Sequence, residues 1–342
     1  MDKKVFTAGT VLRAADVNTY LTTSRNYLLN ADFSINQRGF TSTTTNTAYG
    51  FDRWSLETAT GTSTYSTQAF TPGAAPVAGY EGSNFARIVT SGQTGTVAYS
   101  LIQQAIEDVR TLAGETVVVS FWAKAGSGAP KIAVSLDQRF GSGGSPSSIV
   151  TTPVGAPTIS TNWARYSVSV ALPSISGKTI GTTANTSSLL LRLWVSGSAA
   201  LNPSAQGIGI QNNTFDIWGV QVEEGTTPTP FSRATPTIQS ELAACQRYYQ
   251  SFTPTMAGTG TGTTTSIVSL NFLVPTRINP GDSNVVVGGG AIRIGGSEVG
   301  CTTSSVASLS NFSAWVFLSH TAGGSGAGVV TRSTLVTINA EF

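Results

Sequence analysis

Apolar and polar residues alternate with period two along most of this chain. "TVVVSFWAK" (116–124) sets Val117, Val119, Phe121 and Ala123 against Val118, Ser120, Trp122 and Lys124. "KIAVSLD" (131–137) sends Ile132, Val134 and Leu136 one way and Lys131, Ser135 and Asp137 the other. In "RYSVSVAL" Tyr166, Val168 and Val170 share a face, and in "LLLRLWV" Leu189, Leu191, Leu193 and Val195 do. A run with one apolar and one mixed face is a strand of an antiparallel sheet, buried on one side. Turn-rich spacers such as "GSGGSPSS" separate the runs, so residues 31–233 are expected to form a two-sheet sandwich. Alternation at Val268, Leu270, Phe272 and Val274, and at Trp315 and Phe317, predicts a second, smaller β domain over 252–342.

Three segments depart from period two. In "GTVLRAADVNTYL" Ala14, Val17 and Leu21 mark a short amphipathic helix within residues 1–30, too short to stand without packing on something. "LIQQAIEDVRTLAG" (101–114) spaces Leu101, Ala105, Val109 and Leu112 helically and predicts a crossover helix or helical loop. In "IQSELAACQRYYQ" (238–250) Ile238, Leu242, Cys245 and Tyr249 fall on one helical stripe, a junction helix over 234–251. Thr235 followed by Pro236 supplies a helix start, a capping hydroxyl before proline at the first helical position. The fold class is therefore all-β, with an N-terminal helical segment, a sandwich, a junction helix and a C-terminal β domain.

Composition narrows the function. Only 11% of the 342 residues are charged, the net charge is +2 and no basic cluster occurs, so nucleic-acid binding is disfavoured. No apolar window is long enough to span a bilayer, and "MDKKVFTAGT" lacks the apolar core of a signal peptide. Cys245 and Cys301 are expected to be free thiols of a cytosol-made protein. The single histidine, His320, ends an apolar strand and is expected at a surface or turn. No nucleophile elbow, phosphate loop or metal-ligand spacing appears, and "GGGAIRIGG" reads as a turn-rich hairpin. The carboxylates Glu107, Asp108, Asp137, Asp216, Glu223, Glu224 and Asp282 show no pairing suited to glycoside cleavage. No catalytic, cofactor or metal residue is assigned, and the expectation is a protein that is not an enzyme.

Carbohydrate recognition needs flat aromatic faces beside hydrogen-bonding side chains. Trp122 between Ser120 and Lys124, and Trp194 two residues from Arg192, offer that pairing. If their strands were neighbours, Trp122, Lys124, Arg192 and Trp194 would form one platform. The competing expectation is that these tryptophans fill a sandwich edge or a subunit contact.

"LLNADFSINQRGF" followed by "YGFDRW" resembles the opening of many phage tail-fibre and appendage proteins. "FDIWGVQVEEGTTPTPFSRATPTIQSELAACQRYYQ" resembles the closing stretch of the same module. The core between, with "VSFWAK" and "TNWARYSVSV", is similar to carbohydrate-binding-module jelly rolls, and "FTAGTVLRAADVNTYL" to N-terminal segments of virion proteins. "FLVPTRINP" and "INAEF" resemble phage fibre C-terminal domains. The resemblance implies a structural virion protein: a tail fibre or receptor-binding appendage that contacts host glycans, or alternatively a capsid-decoration or head-fibre protein. A polysaccharide depolymerase is a weaker third reading. Phe6, Leu12, Val17 and Leu21 would attach the chain to other virion proteins. Ile238, Leu242, Cys245 and Tyr249 would line the seam of a homotrimer. The expected location is the virion surface, after synthesis in the host cytoplasm.

Overall fold

The computed structural model describes residues 26–342 apart from 262–263, 289, 295–296, 309, 321–327 and 333–334. The N-terminal helix and the attachment positions Phe6, Leu12, Val17 and Leu21 lie outside the described residues.

The first eleven strands are β1 (Ser42–Thr43), β2 (Ser55–Ala59), β3 (Thr62–Ala69), β4 (Asn84–Ser91), β5 (Tyr99–Glu107) and β6 (Thr116–Ala125), then β7 (Ala133–Arg139), β8 (Val150–Gly155), β9 (Ala164–Ala171), β10 (Ser188–Gly197) and β11 (Thr214–Glu224). They form two antiparallel sheets, six strands in the order β1-β3-β4-β11-β6-β9 and five in the order β2-β5-β10-β7-β8. Successive strands cross repeatedly between the sheets, which makes the sandwich a jelly roll. The alternation explains the core. Val117, Val119, Phe121 and Ala123 from one sheet meet Val134, Leu136, Leu189, Leu191 and Leu193 from the other, all fully buried.

A 3₁₀ turn (Ala199–Leu201) and a short helical turn (Asn202–Ala205) sit between β10 and β11. Helix α1 (Ile238–Gln246) follows the sandwich. The second part contains β12 (Tyr249–Phe252), β13 (Ala257–Gly260), β14 (Thr265–Asn271), β15 (Val285–Val287) and β16 (Gly290–Ile294), then β17 (Ser297–Ser308), β18 (Ser313–His320), β19 (Gly328–Arg332) and β20 (Val336–Asn339). Six of them close a barrel in the order β13-β14-β18-β17-β16-β19, and β12-β20-β15 form a small sheet. The barrel has its own core around Val268, Leu270, Ala314, Val316 and Leu318. The glycine-dense stretch is a hairpin, with Ile294 opposite Ser297 across β16 and β17.

Four expectations are corrected. Residues 101–107 belong to strand β5, and 108–114 are turns, with Asp108 and Leu112 at positive φ. Pairing with β10 and β2 overrides the helical spacing, and Leu101 and Ile102 are buried on opposite faces. The helix starts two residues later than expected. Thr237 is its N-cap, accepting from Ser240 N while the Ser240 hydroxyl accepts from Thr237 N. Thr235 instead donates its hydroxyl to Glu241 Oε2 at 2.6 Å. His320 is buried, not at the surface, with Nε2 2.9 Å from Ser266 Oγ.

The trimer seam does not survive as a free stripe. Cys245 is fully buried in its own chain and Tyr249 lies on β12, its ring 3.6 Å from the Arg38 guanidinium. Only Ile238 of the four is exposed, with Leu242 half-buried. Burial also pushes the Cys245 thiol well up, which favours the neutral thiol as a packing group.

The opening and closing motifs clasp each other. Asn26 Nδ2 donates to Val220 O (3.0 Å) and Ser232 O (3.1 Å), and Asn30 N donates to Glu241 Oε1 at 2.7 Å. Arg233 reaches Asp32 at 2.8 Å, and Tyr80 donates to the same carboxylate at 2.6 Å. Nearby, Asp52 accepts from Gln37 Nε2 (2.7 Å) and pairs with Arg38 (3.2 Å). Arg53 pairs with Glu341, donates to Ala105 O at 2.6 Å and stacks 3.4 Å over Tyr248. The end of the barrel region is thereby tied to the sandwich, with the Tyr248 hydroxyl 2.7 Å from Glu107.

Candidate functional site

Strand β10 holds Leu189, Leu191, Leu193 and Val195 inward, so Leu190, Arg192 and Trp194 point away from the sandwich core. Register places Arg192 between Gln103 of β5 and Ser135 of β7, and Trp194 between Leu101 and Ala133. Glu57 of β2 lies opposite Leu101. The outer face of the five-stranded sheet thus carries an apolar end at Trp194 and a polar centre at Arg192.

Arg192 organises that centre. It pairs with Asp137 Oδ2 at 3.2 Å and Glu57 Oε2 at 3.4 Å, and Nε donates to Gln103 Oε1 at 3.2 Å. Its guanidinium carbon is 5.7 Å from the Trp194 ring centroid. Arg192 and Glu57 remain partly open, 16% and 19% exposed, whereas Asp137 is buried and its second oxygen accepts no hydrogen bond.

Two structures wall this centre. On one side the turns at 199–208 cover Trp194, which packs on Leu101, Ala133, Ala205 and Ile208 and donates Nε1 to Ser135 Oγ at 2.9 Å. Gln206, in the left-handed region at φ 52°, fixes that cover by donating to Val134 O at 2.8 Å. On the other side lies a cavity of about 180 Å³ lined by Tyr49, Arg53, Gln103, Arg139, Ser188 and Phe342 among others. Burial, with Glu341 adding, pushes the Tyr49 phenol up to about 12, so it stays a neutral donor. Burial first, then repulsion from Arg192, lowers the Arg139 guanidinium from its usual value.

The outer face of the six-stranded sheet differs. Trp122 stands opposite both Trp218 and Arg165 in the ladder. Its ring contacts Trp218 (5.6 Å) and Phe231 (6.2 Å), and Arg165 lies 4.6 Å above it, donating to Thr229 O at 2.6 Å. The segment after β11 therefore seals Trp122. Gly219, at φ 60°, permits this, because a Cβ there would meet the Trp122 ring at 2.9 Å. Lys124 sits 5.4 Å over Trp163 and 3.6 Å from Asp216, a carboxylate already held by Arg87 at 2.6 and 2.8 Å.

The expected platform is thus divided. Strands β6 and β10 lie in different sheets, so Trp122 and Lys124 face away from Arg192 and Trp194 on opposite sides of the sandwich. Trp194 is 3% exposed and serves as a covered wall rather than an open stacking surface. Sequence reasoning missed Glu57, Gln103, Arg139 and Tyr49. Arg139 was within reach, since it extends the outward series Ser135 and Asp137 by one step of period two.

Three of the carboxylates considered for chemistry are held in contacts within the fold. Glu107 meets Tyr248 and Arg247, Asp108 meets Arg110, and Glu223 accepts from Thr229. Among the described residues no group of three or more His, Cys, Asp or Glu could hold a metal ion, and no helix is long and apolar enough to cross a membrane.

No protein-family model matches the chain, and no curated protein does. Several solved structures are similar over part of the chain. One is the CBM22-1 xylan-binding domain of Paenibacillus barcinonensis Xyn10C, at 12% identity over 60% of this chain and 98% of that one, with a TM-score of 0.31. Another is a CBM4 module, at 14% identity over 57% and 98%, TM-score 0.32. A third is the family 11 carbohydrate-binding module of Clostridium thermocellum in complex with a mixed-linked tetrasaccharide, at 11% identity over 56% and 99%, TM-score 0.31.

Proposed function

We propose that this chain is a non-catalytic glycan-recognising appendage protein of a bacteriophage particle, with the walled outer face of the five-stranded sheet as its contact surface. The observation that carries the glycan reading is the Arg192 network. Planar guanidinium, amide and carboxylate groups of Arg192, Gln103, Glu57 and Asp137 are fixed by one another on a sheet face that the chain leaves partly open. A preorganised array of donors and acceptors suits the hydroxyl rim of a sugar, and prior fixing lowers the entropy cost of binding. The virion reading rests on the opening and closing motifs and on residues 6–21.

The test of the glycan reading is titration of the full chain against a panel of oligosaccharides. At least one should bind, and Arg192→Ala should weaken it tenfold or more, because a charged hydrogen bond contributes about 1.5–3 kcal/mol. Equal binding by wild type and Arg192→Ala would remove the site. For the virion reading, antibody labelling of whole particles should decorate the tail or the head, and adsorption should fall when purified protein is added.

A further inference from the structure

The cavity beside the Arg192 network has a lining that the network does not explain. Two arginines, Arg53 and Arg139, contribute to its wall, and no Asp or Glu does. The Nε of each is buried and makes no hydrogen bond. Arg53 spends its other nitrogens on Glu341 and Ala105 O. Arg139 has no ion pair among the described residues: Asp137 and Glu57, whose charges reach it, are paired with Arg192, and Glu107, in its own row of the sheet, meets Arg247 and Tyr248. Around these cations stand neutral groups able to hydrogen-bond, namely the Tyr49 phenol, the Gln103 amide and the Ser188 hydroxyl.

An unpaired guanidinium with a desolvated N–H is costly to keep and is relieved by an anion. Guanidinium geometry matches a carboxylate through paired N–H donors, better than an ammonium would. At about 180 Å³ the cavity is smaller than the roughly 300 Å³ at which drug-sized ligand sites begin, so it suits one sugar ring or its substituent, not a chain segment. Gln103 lines it and also accepts from Arg192 Nε, so the cavity and the network share a side chain and a glycan lying on the network would reach it.

We propose that this cavity takes the carboxylate of an acidic sugar, with Arg139 as the principal anion partner and Arg53 and Tyr49 as further donors. The inference rests on the glycan reading above and adds the chemical class of the ligand. A uronate within a chain and a terminal nonulosonate present the same carboxylate, and the test separates them.

The experiment titrates the full chain with trigalacturonate and with its neutral methyl ester, and with 3′-sialyllactose and lactose. At least one acidic probe should bind tenfold or more tightly than its neutral counterpart, about 1.4 kcal/mol. Arg139→Gln should weaken the acidic probe tenfold or more and the neutral one by much less, so that the preference is lost, and Arg139→Lys should restore part of it. A far-ultraviolet spectrum and a thermal melt of each variant establish that it is folded. Equal affinity for acidic and neutral probes, or an acidic preference that survives Arg139→Gln, overturns the inference and leaves glycan binding standing. Failure of both acidic probes to bind at millimolar concentration also overturns the inference, and the oligosaccharide panel then decides the glycan reading.

Discussion

The two outer faces of the sandwich start from the same sequence device and end differently. Each carries a tryptophan and a basic residue two positions apart on the outward side of a central strand, Trp122 with Lys124 on β6 and Arg192 with Trp194 on β10. On the six-stranded sheet the segment after β11 folds back, and Phe231 and Thr229 close over Trp122. On the five-stranded sheet the cover is split between the turns at 199–208 and the barrel side, and the charged centre stays partly open. A basic–aromatic alternation therefore encodes a surface for covering. Whether that cover is the chain itself is decided by segments remote in sequence.

The largest test of this contrast is Trp218→Ala. Trp218 is fully buried and joins Trp122, Tyr80, Phe70 and Phe231 under the covering segment. Removing it should cost about 3–5 kcal/mol, the range for large aromatic truncations in a core. Urea unfolding measures this. A cost below about 1 kcal/mol would show that the segment only rests on the sheet. Glycan affinity of the folded variant should be unchanged, since the other face is untouched.

Next in size is the pH dependence of the clasp that supports the barrel-side wall. Burial raises the Asp52 carboxyl to about 6, with Arg38 and the Gln37 hydrogen bonds pulling the other way without prevailing. The native state then binds a proton more tightly than the unfolded state does. Stability contributed by this group is present below about pH 4 and is lost as the pH rises through about 6. Against the ordinary 3.8 the change corresponds to about 3 kcal/mol. Asp52→Asn should remove this slope, read as the difference between wild-type and variant unfolding free energies from pH 4 to 7. A pH-independent difference would mean that Arg38 compensates the buried charge fully.

Sequence reasoning reached the faces but not the sheets. Period two separates Phe121 from Trp122 and Leu191 from Arg192 correctly, because side chains alternate whatever the partner strand. It carries no information on which strands pair, so whether β6 and β10 adjoin stayed open in the sequence. At 101–114 the spacing of Leu101, Ala105, Val109 and Leu112 fits a helix, and a strand followed by turns buries all four as well. The motif resemblance pointed to residues that matter, yet Asn30 binds Glu241 and Asp32 binds Arg233, so they build the clasp rather than the site. The cavity was illegible for a plain reason. Tyr49, Arg139 and Phe342 are brought to it from three separate parts of the chain.

A smaller effect separates the two arginines of the open face. Arg192→Ala leaves Asp137, which is 2% exposed, without its cation. Breaking a buried pair costs about 3–5 kcal/mol, and the partial exposure of Arg192 brings the expected loss to about 2 kcal/mol. The double variant Arg192→Ala, Asp137→Asn should recover part of it, measured by the same urea titration. No recovery would place the cost in lost packing on Trp194.

Arg139→Gln should have the smallest effect on the unliganded protein, and its sign is the informative part. Burial and the neighbouring Arg192 hold the Arg139 guanidinium below its usual value, so the fold disfavours the charge it carries. A neutral side chain removes that penalty without breaking any hydrogen bond at Nε, which has none. The melting temperature at neutral pH should therefore stay level or rise slightly, while Arg192→Ala lowers it. Two arginines on one sheet face would then divide, one holding the floor together and one kept in place at a net cost that Asp137 and Glu57 offset only in part and that a bound anion would offset further. If Arg139→Gln lowers the melting temperature as much as Arg192→Ala does, Arg139 is a structural cation, and the open face is as self-contained as the sealed one.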